Sequence, residues 1–204
     1  MATINYASKE IYFKIVYYGC AMCGKTSNLQ YIHSAVTEER KGNLVSLATE
    51  SDRTLFFDFL PVDAIKLQDF ITKFQLYTVP GQVQYRSTRK LVLMGVDAVV
   101  FVADSLAVRR EKNMLSLKDL QENLRDYNLS IFQVPIVMQY NKRDLADQGL
   151  PTMSVEQMGK DLNRQLKAPE YAASALSGPG VGPTLKECLK LTLQSLQKQT
   201  KWAQ

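Results

Sequence analysis

The chain has 204 residues, 46% hydrophobic and 22% charged, with a net charge of +5. That length supports one domain with a substantial core, and the composition is that of a soluble globular protein. The basic residues are dispersed, so no arm or dense patch argues for nucleic acid, and three cysteines in a chain this long argue for a reducing compartment rather than a disulfide framework. No signal core opens the sequence, no apolar run of about 18 residues crosses it, and no lipidated-cysteine box ends it. The expectation is a cytoplasmic protein with no direct membrane anchor.

Short apolar runs alternate with amphipathic stretches. Tyr12 to Tyr18 (YFKIVYY) predicts a strand, and Lys25 to Val36 a helix with Leu29, Ile32 and Val36 on one face. Thr54 to Leu60 and Lys73 to Val79 predict two strands joined through a turn at Pro61 to Ala64. Ala98 to Ala103 is a continuous apolar run, as for a strand covered on both faces. Met114, Leu117, Leu120, Leu124 and Tyr127 recur at helical spacing. Val134 to Tyr140 predicts another strand, with Pro135 near its start, where a missing N–H is tolerable. Val155, Met158, Leu162 and Leu166 predict a helix capped by Ser154, Tyr171 to Ala175 a short strand, and Leu185, Cys188, Leu189, Leu193 and Leu196 the last helix. Such alternation predicts an α/β fold: a mostly parallel central sheet with helices on both faces, one domain over 1–204. Ligands of such a sheet belong at the carboxyl ends of its strands.

Gly19 to Thr26 reads GCAMCGKT and carries two overlapping motifs. As a CxxC pair, Cys20 and Cys23 are a redox dithiol or half a zinc site, whose other ligands would have to be Cys188 and His33. As GxxxxGKT, the same residues are a phosphate loop. The surroundings favour the second. An apolar strand ends at Tyr18 and a helix opens at Lys25. Gly19, Cys20, Ala21, Met22, Cys23 and Gly24 can turn several backbone N–H groups toward one anion. The helix N-terminus at Lys25, Thr26 and Ser27 adds partial positive charge. Lys25 can reach the β- and γ-phosphates, and Thr26 can place its hydroxyl on Mg²⁺. A redox pair does not require Gly-Lys-Thr directly after it. The two cysteines then read as small fillers, with oxidation that blocks nucleotide entry as an extra possibility.

Asn141-Lys142-Arg143-Asp144 follows the strand VPIVMQY and matches the NKxD pattern of guanine recognition. A carboxylate at Asp144 can accept from the guanine N1–H and exocyclic amine. Adenine lacks that pair of donors, so it would leave the carboxylate unpaired. Asn141 can brace the loop or touch the base, and the Lys142 stem can lie on the ring. Ser174-Ala175 follows the next strand and is a looser match to the SAK element, because Leu176 stands where lysine is usual.

With these motifs the chain resembles the small Ras-like GTPases, and within them the bacterial branch that governs polarity and gliding motility. The resemblance covers nearly the whole chain through KIVYYGCAMCGKTSNLQYI, ATESDRTLFFDFLP, LYTVPGQVQYRSTRKLVLMGVDAVVFVADS and QYNKRDL. It implies a Ras-like switch that binds GTP and GDP with Mg²⁺, hydrolyses GTP slowly alone, and meets a roadblock-fold partner that stimulates hydrolysis and motility effectors in its GTP state. It also implies recruitment to a cell pole through partners. Residue by residue, it implies that Thr54 joins Thr26 on Mg²⁺ and senses the γ-phosphate. It implies further that Gln82, directly after Gly81, orients the attacking water. Arg53 is a candidate arginine finger in cis. A Ras-type DxxG is replaced here by Thr78-Val79-Pro80-Gly81. Asp58, inside FFDFL, is either the substitute carboxylate or a solvent-facing residue of an edge strand. Tyr85, Arg86, Arg89 and Lys90 offer a partner surface or a solvated helix face. Asp104 reads as a structural cap. Two rival functions stay open at this stage. An ATPase or kinase is disfavoured by Asp144, and a nucleotide-binding scaffold without turnover is disfavoured by Gln82 and Arg53.

Overall fold

The computed structural model describes residues 2–37, 41–48, 54–67 and 69–200, with side chains throughout except at 46–48, 54–57, 63–67, 83 and 199–200. Its strands are β1 (Thr3–Asn5), β2 (Glu10–Tyr18), β3 (Val45–Ala48), β4 (Thr54–Leu67), β5 (Phe70–Thr78), β6 (Ala98–Asp104), β7 (Ile136–Asn141) and β8 (Glu170–Ala172). They form one sheet in the order β3-β4-β5-β2-β6-β7-β8, with β1 antiparallel to β2. Pairings from β5 through β8 are parallel; β3–β4 and β4–β5 are antiparallel. The helices are α1 (Lys25–Ala35), α2 (Arg86–Leu93), α3 (Arg110–Arg125), α4 (Val155–Met158) and α5 (Val181–Thr200).

Strand alternation divides the core into two layers. Along β2, Ile11, Phe13, Ile15 and Tyr17 face one side, where they meet Leu29 and Ile32 of α1 and Val181, Leu185 and Cys188 of α5. Val16 and Tyr18 face the other, against Val92 and Leu93 of α2, Leu120 and Leu124 of α3, and Met158. β6 repeats the division: Ala98, Val100 and Val102 on the first side, Val99, Phe101 and Ala103 on the second. A strand buried on both faces carries no polar side, which is why AVVFVA has no alternation. Among the described residues no helix is long and apolar enough to cross a membrane.

The expected turn at Pro61 to Ala64 is not there. β4 runs through it to Leu67 and pairs with β5 from Phe59↔Tyr77 to Leu67↔Phe70. Proline is tolerated because of which way its backbone faces. The Pro61 carbonyl accepts from the Gly42 N–H at 3.0 Å. In an extended strand N and C=O of one residue point the same way, so the missing N–H faces the outer side and costs the β4–β5 ladder nothing. A register shift between Asp63 and Lys66 absorbs the irregularity that the sequence suggested as a turn.

Two boundaries and one helix face also differ from expectation. The helix expected through Leu166 is α-helical only to Met158 and continues as a π turn over Gly159–Asn163, where the Asn163 amide donates to Ala168 O and Glu170. Ser154 caps it as expected, accepting from Gln157 N at 3.1 Å. The strand expected to reach Ala175 ends at Ala172, because Ser174 N already bonds Pro179 O. On α3, Met114 is exposed and Asn113 is buried instead, its amide bonding both backbone groups of Asp104. The end of β6 needs those partners more than the helix needs one more apolar contact.

Ile15 lies fully buried at the centre of the sheet between β5 and β6. Ile15→Ala is expected to cost about 2–5 kcal/mol by urea unfolding, from lost burial plus the cavity left behind.

Candidate functional site

β2, β5, β6 and β7 all end at one edge of the sheet, and the residues that follow them meet there. Tyr18 leads into Gly19–Gly24, Thr78 into Val79–Gln82, and β7 closes on Asn141. β8 leads to Ser174 and Ala175 on the far side of the same loop cluster. A cavity of about 450 Å³ opens between the first two, lined by Ala21, Met22, Lys25, Thr26, Gly81 and Gln82.

The Gly19–Gly24 loop is shaped by backbone that favours glycine. Gly24 has φ +97 and stands where α1 begins; a Cβ there would lie 2.2 Å from Asn141 Nδ2. Met22 takes the left-handed region too, at φ 63, although it carries a side chain. Lys25 is buried, and its Nζ donates to Gly19 O at 3.0 Å and to Cys20 O at 2.8 Å, folding the loop around the ammonium. Gly81 approaches so closely that a Cβ would sit 2.4 Å from Ala21 N. The segment bearing Gln82 therefore packs on the loop itself.

Asp58 is fully buried, which removes the solvent-facing reading. β4 is not an edge strand, since β3 covers it. The Asp58 carboxylate accepts from the Thr26 hydroxyl at 2.6 Å and from the Thr78 hydroxyl at 2.7 Å. Thr78 Oγ1 in turn accepts from Asp58 N at 2.9 Å. A buried carboxylate thus reaches the Thr26 hydroxyl from the next strand over, although position 78 bears threonine.

Asn141 ties the loops together. Its side-chain amide donates to Cys23 O at 2.8 Å, and its Oδ1 accepts from Ala175 N at 2.8 Å. Lys142 takes a left-handed φ of 67, and its Nζ bonds the buried Asp104 carboxylate at 2.7 Å. Asp104 also accepts from Leu106 N at 3.1 Å, the capping role expected of it. Asp144 sits half-buried on the 3₁₀ turn Arg143–Leu145 that follows.

Arg89 differs from the sequence expectation. It is buried, not on a solvated face. It donates to Pro80 O at 3.3 Å, to Gln82 O, and to Asp119 on α3 at 2.8 Å. Nothing in RSTRKLVLMG distinguishes it from Arg86, which is exposed. The Gln82 side chain accepts from Gln84 at 3.2 Å. Thr54 opens β4, with its side chain outside the described residues; Arg53 lies outside them altogether.

A phosphate loop between a strand and a helix, at the carboxyl edge of a parallel sheet, with an Asn-Lys-x-Asp loop stapled to it, defines the class of small P-loop GTPases. The profile of the ADP-ribosylation factor (Arf) family matches residues 2–192, and the chain belongs to that family. It is 54% identical over 198 residues, 97% of this chain and 99% of the relative, to the mutual gliding-motility protein MglA of Myxococcus xanthus (strain DK1622). The chain is accordingly a Ras-like GTPase that binds guanine nucleotide and hydrolyses GTP.

Asn141→Ala orphans Ala175 N and Cys23 O together. The expected cost is about 2–4 kcal/mol of stability, with guanine-nucleotide affinity at least about tenfold weaker, read by chemical unfolding and by displacement of a fluorescent nucleotide.

Proposed function

We propose that this GTPase uses Gly19–Ser27 as its phosphate cradle, Asp144 as its base reader, Gln82 to hold the attacking water, and Lys25 and Arg53 to stabilise charge on the γ-phosphate. The observation that carries the reading is the Asn141 side chain. From the Asn-Lys-x-Asp loop it bonds the phosphate loop at Cys23 and the Ser174-Ala175 loop at Ala175, so one nucleotide can span all three. Lys142, pinned by Asp104, has its stem free to flank a ring. Ala175 N is spent on Asn141, so any contact from this loop to the guanine oxygen falls to neighbouring amides.

Mg²⁺ fits the site. The Thr26 hydroxyl lies against a buried carboxylate, and hydroxyl plus carboxylate oxygen is the donor set of a hard cation. Thr26 and Thr54 would hold it, with Asp58 in the outer shell in place of the absent DxxG aspartate. Bound there, the ion would neutralise charge on the β- and γ-phosphates. The protein's own contribution is positional. Lys25 supplies a fixed ammonium, Gly81 presses the Gln82 segment onto the loop, and Arg89 holds the carbonyl of Gln82 from behind. Hydrolysis is attack of water on the γ-phosphate. Loss of that phosphate releases the segments near 50–54 and 78–90, which makes the chain a switch.

The relative's name supports a place in gliding motility or cell polarity, as does the resemblance of the switch segments. In this reading a roadblock-fold partner stimulates hydrolysis, effectors read the GTP state, and any polar localisation comes through such partners. The domain is taken to span 1–204.

Asp144→Asn puts a donor opposite the guanine N1–H. GTP affinity is expected to fall by about tenfold to a hundredfold, with a gain for xanthosine triphosphate, in competition binding. An unchanged preference for GTP would remove Asp144 from the base site. Arg53→Ala is expected to leave GTP binding nearly intact and to remove about 10³–10⁵ of partner-stimulated turnover in single-turnover assays. Equal stimulated rates would assign the finger to the partner.

A further inference from the structure

Nucleotide binding leaves Cys20 and Cys23 without a task. A phosphate loop cradles its anion with backbone amides and asks only for small residues. Here the two thiols are brought together. Cys23 N donates to Cys20 O at 3.4 Å, which closes a turn. The first and fourth Cα of such a turn lie within roughly 7 Å, and a disulfide spans roughly 4.4–6.8 Å between Cα atoms. The Cys20 thiol has Asn113 Oδ1 at 3.5 Å as an acceptor and interacts with the Cys23 sulfur as well. Cys23 is fully buried. Cys20, 5% exposed, reaches the wall of a second cavity, about 520 Å³, between the loop, Gln82 and the Leu115–Asp119 stretch of α3. A small oxidant can enter there.

Lys25 completes the arrangement, with Nζ 3.8 Å from Cys23 Sγ. Burial pushes the Cys23 thiol up, but the Cys20 hydrogen bond and the Lys25 charge outweigh it and bring the group down to about 7. The interaction with Cys23 and burial push the Cys20 thiol far up, so Cys23 is the sulfur favoured as thiolate. Cys188, on the buried face of α5, is pushed up to about 12 by burial. A thiolate is the reactive form.

We propose that Cys20 and Cys23 form a thiol–disulfide site inside the phosphate loop, oxidised by a hydroperoxide and protected by bound nucleotide. A proton passed from Cys20 to Cys23 leaves the Cys20 sulfur, the one at the cavity wall, as the thiolate that attacks one peroxide oxygen; an S–O bond forms, the O–O bond breaks and hydroxide leaves. The second sulfur displaces the hydroxyl of the sulfenic acid; S–S forms and S–O breaks. Two thiols lose two electrons and two protons, and one hydrogen peroxide becomes two waters. The protection rests on the nucleotide reading of this loop. A phosphate that engages Lys25 withdraws the cation from sulfur and adds negative charge beside it.

The test uses the full chain, stripped of nucleotide with EDTA and treated with hydrogen peroxide, with and without saturating GDP and Mg²⁺. Peptide mass mapping is expected to find a Cys20–Cys23 cross-link, a free Cys188, reversal by dithiothreitol, and cross-linking slowed by about tenfold or more with GDP. Cys20→Ser should abolish the cross-link and Cys188→Ser should keep it. A fluorescent GDP analogue, titrated on reduced protein, is expected to bind, which establishes the occupancy that the GDP arm relies on. The proposal is overturned if the cysteines oxidise singly without a cross-link, if Cys188 reacts as fast as the pair, or if GDP binds the reduced chain without slowing the reaction. Failure of the analogue to bind reduced protein sinks the nucleotide reading and the protection with it, while the cross-link is still decided by mass.

Discussion

The side chain of Asn141 is the constraint on which the site depends. It is nearly fully buried, and each end of its amide is spent on backbone, Cys23 O on one side and Ala175 N on the other. A buried amide can satisfy both partners only if the three loops stand at one spacing. Gly24 belongs to the same constraint, since any Cβ there would collide with the Asn141 nitrogen. The phosphate cradle and the base loop are thus fixed relative to each other by a short-range polar contact, and the sheet beneath supplies only the approximate alignment.

The sheet explains why this contact can be so short. Parallel strands β2, β5, β6 and β7 place their carboxyl ends at a common edge, and β6 is apolar from Ala98 to Ala103, with Asp104 its only polar residue at that edge. Beyond that edge, buried polar groups take over. Asn113 binds the backbone of Asp104, Asp104 binds Lys142, and Asp58 joins Thr26 to Thr78. Each is satisfied by a partner from another element, so the network reinforces the topology rather than straining it.

Much of this was legible in the sequence because the chemistry is local. GCAMCGKT and NKRD are contiguous, and each sits directly after an apolar strand. The unreadable parts are those where meaning comes from a distant partner. Arg89 looks like Arg86 in sequence and differs only because Asp119 and the Gln82 carbonyl lie beneath it. Asp58 in FFDFL could be edge or interior until β3 was seen to cover it. Pro61 suggested a turn because its local signal is strong, yet the direction its nitrogen faces is decided by Gly42, a residue on another segment. β3, only four residues long, has too short a run for its alternation to register.

Arg89 also has a mechanical side. Tyr18, the last residue before the phosphate loop, donates its hydroxyl to Asp119 on α3, and Asn123 of the same helix donates to Tyr18 at 2.9 Å. Asp119 receives Arg89, and Arg89 grips the carbonyl of Gln82. Helix α3 therefore acts as a ruler laid between the root of the Gly19–Gly24 loop and the back of the Val79–Gln82 segment. A slide of that helix along the sheet must either break a largely buried charged hydrogen bond or carry Gln82 with it. The position of Gln82 is set from behind, through its backbone carbonyl rather than its side chain.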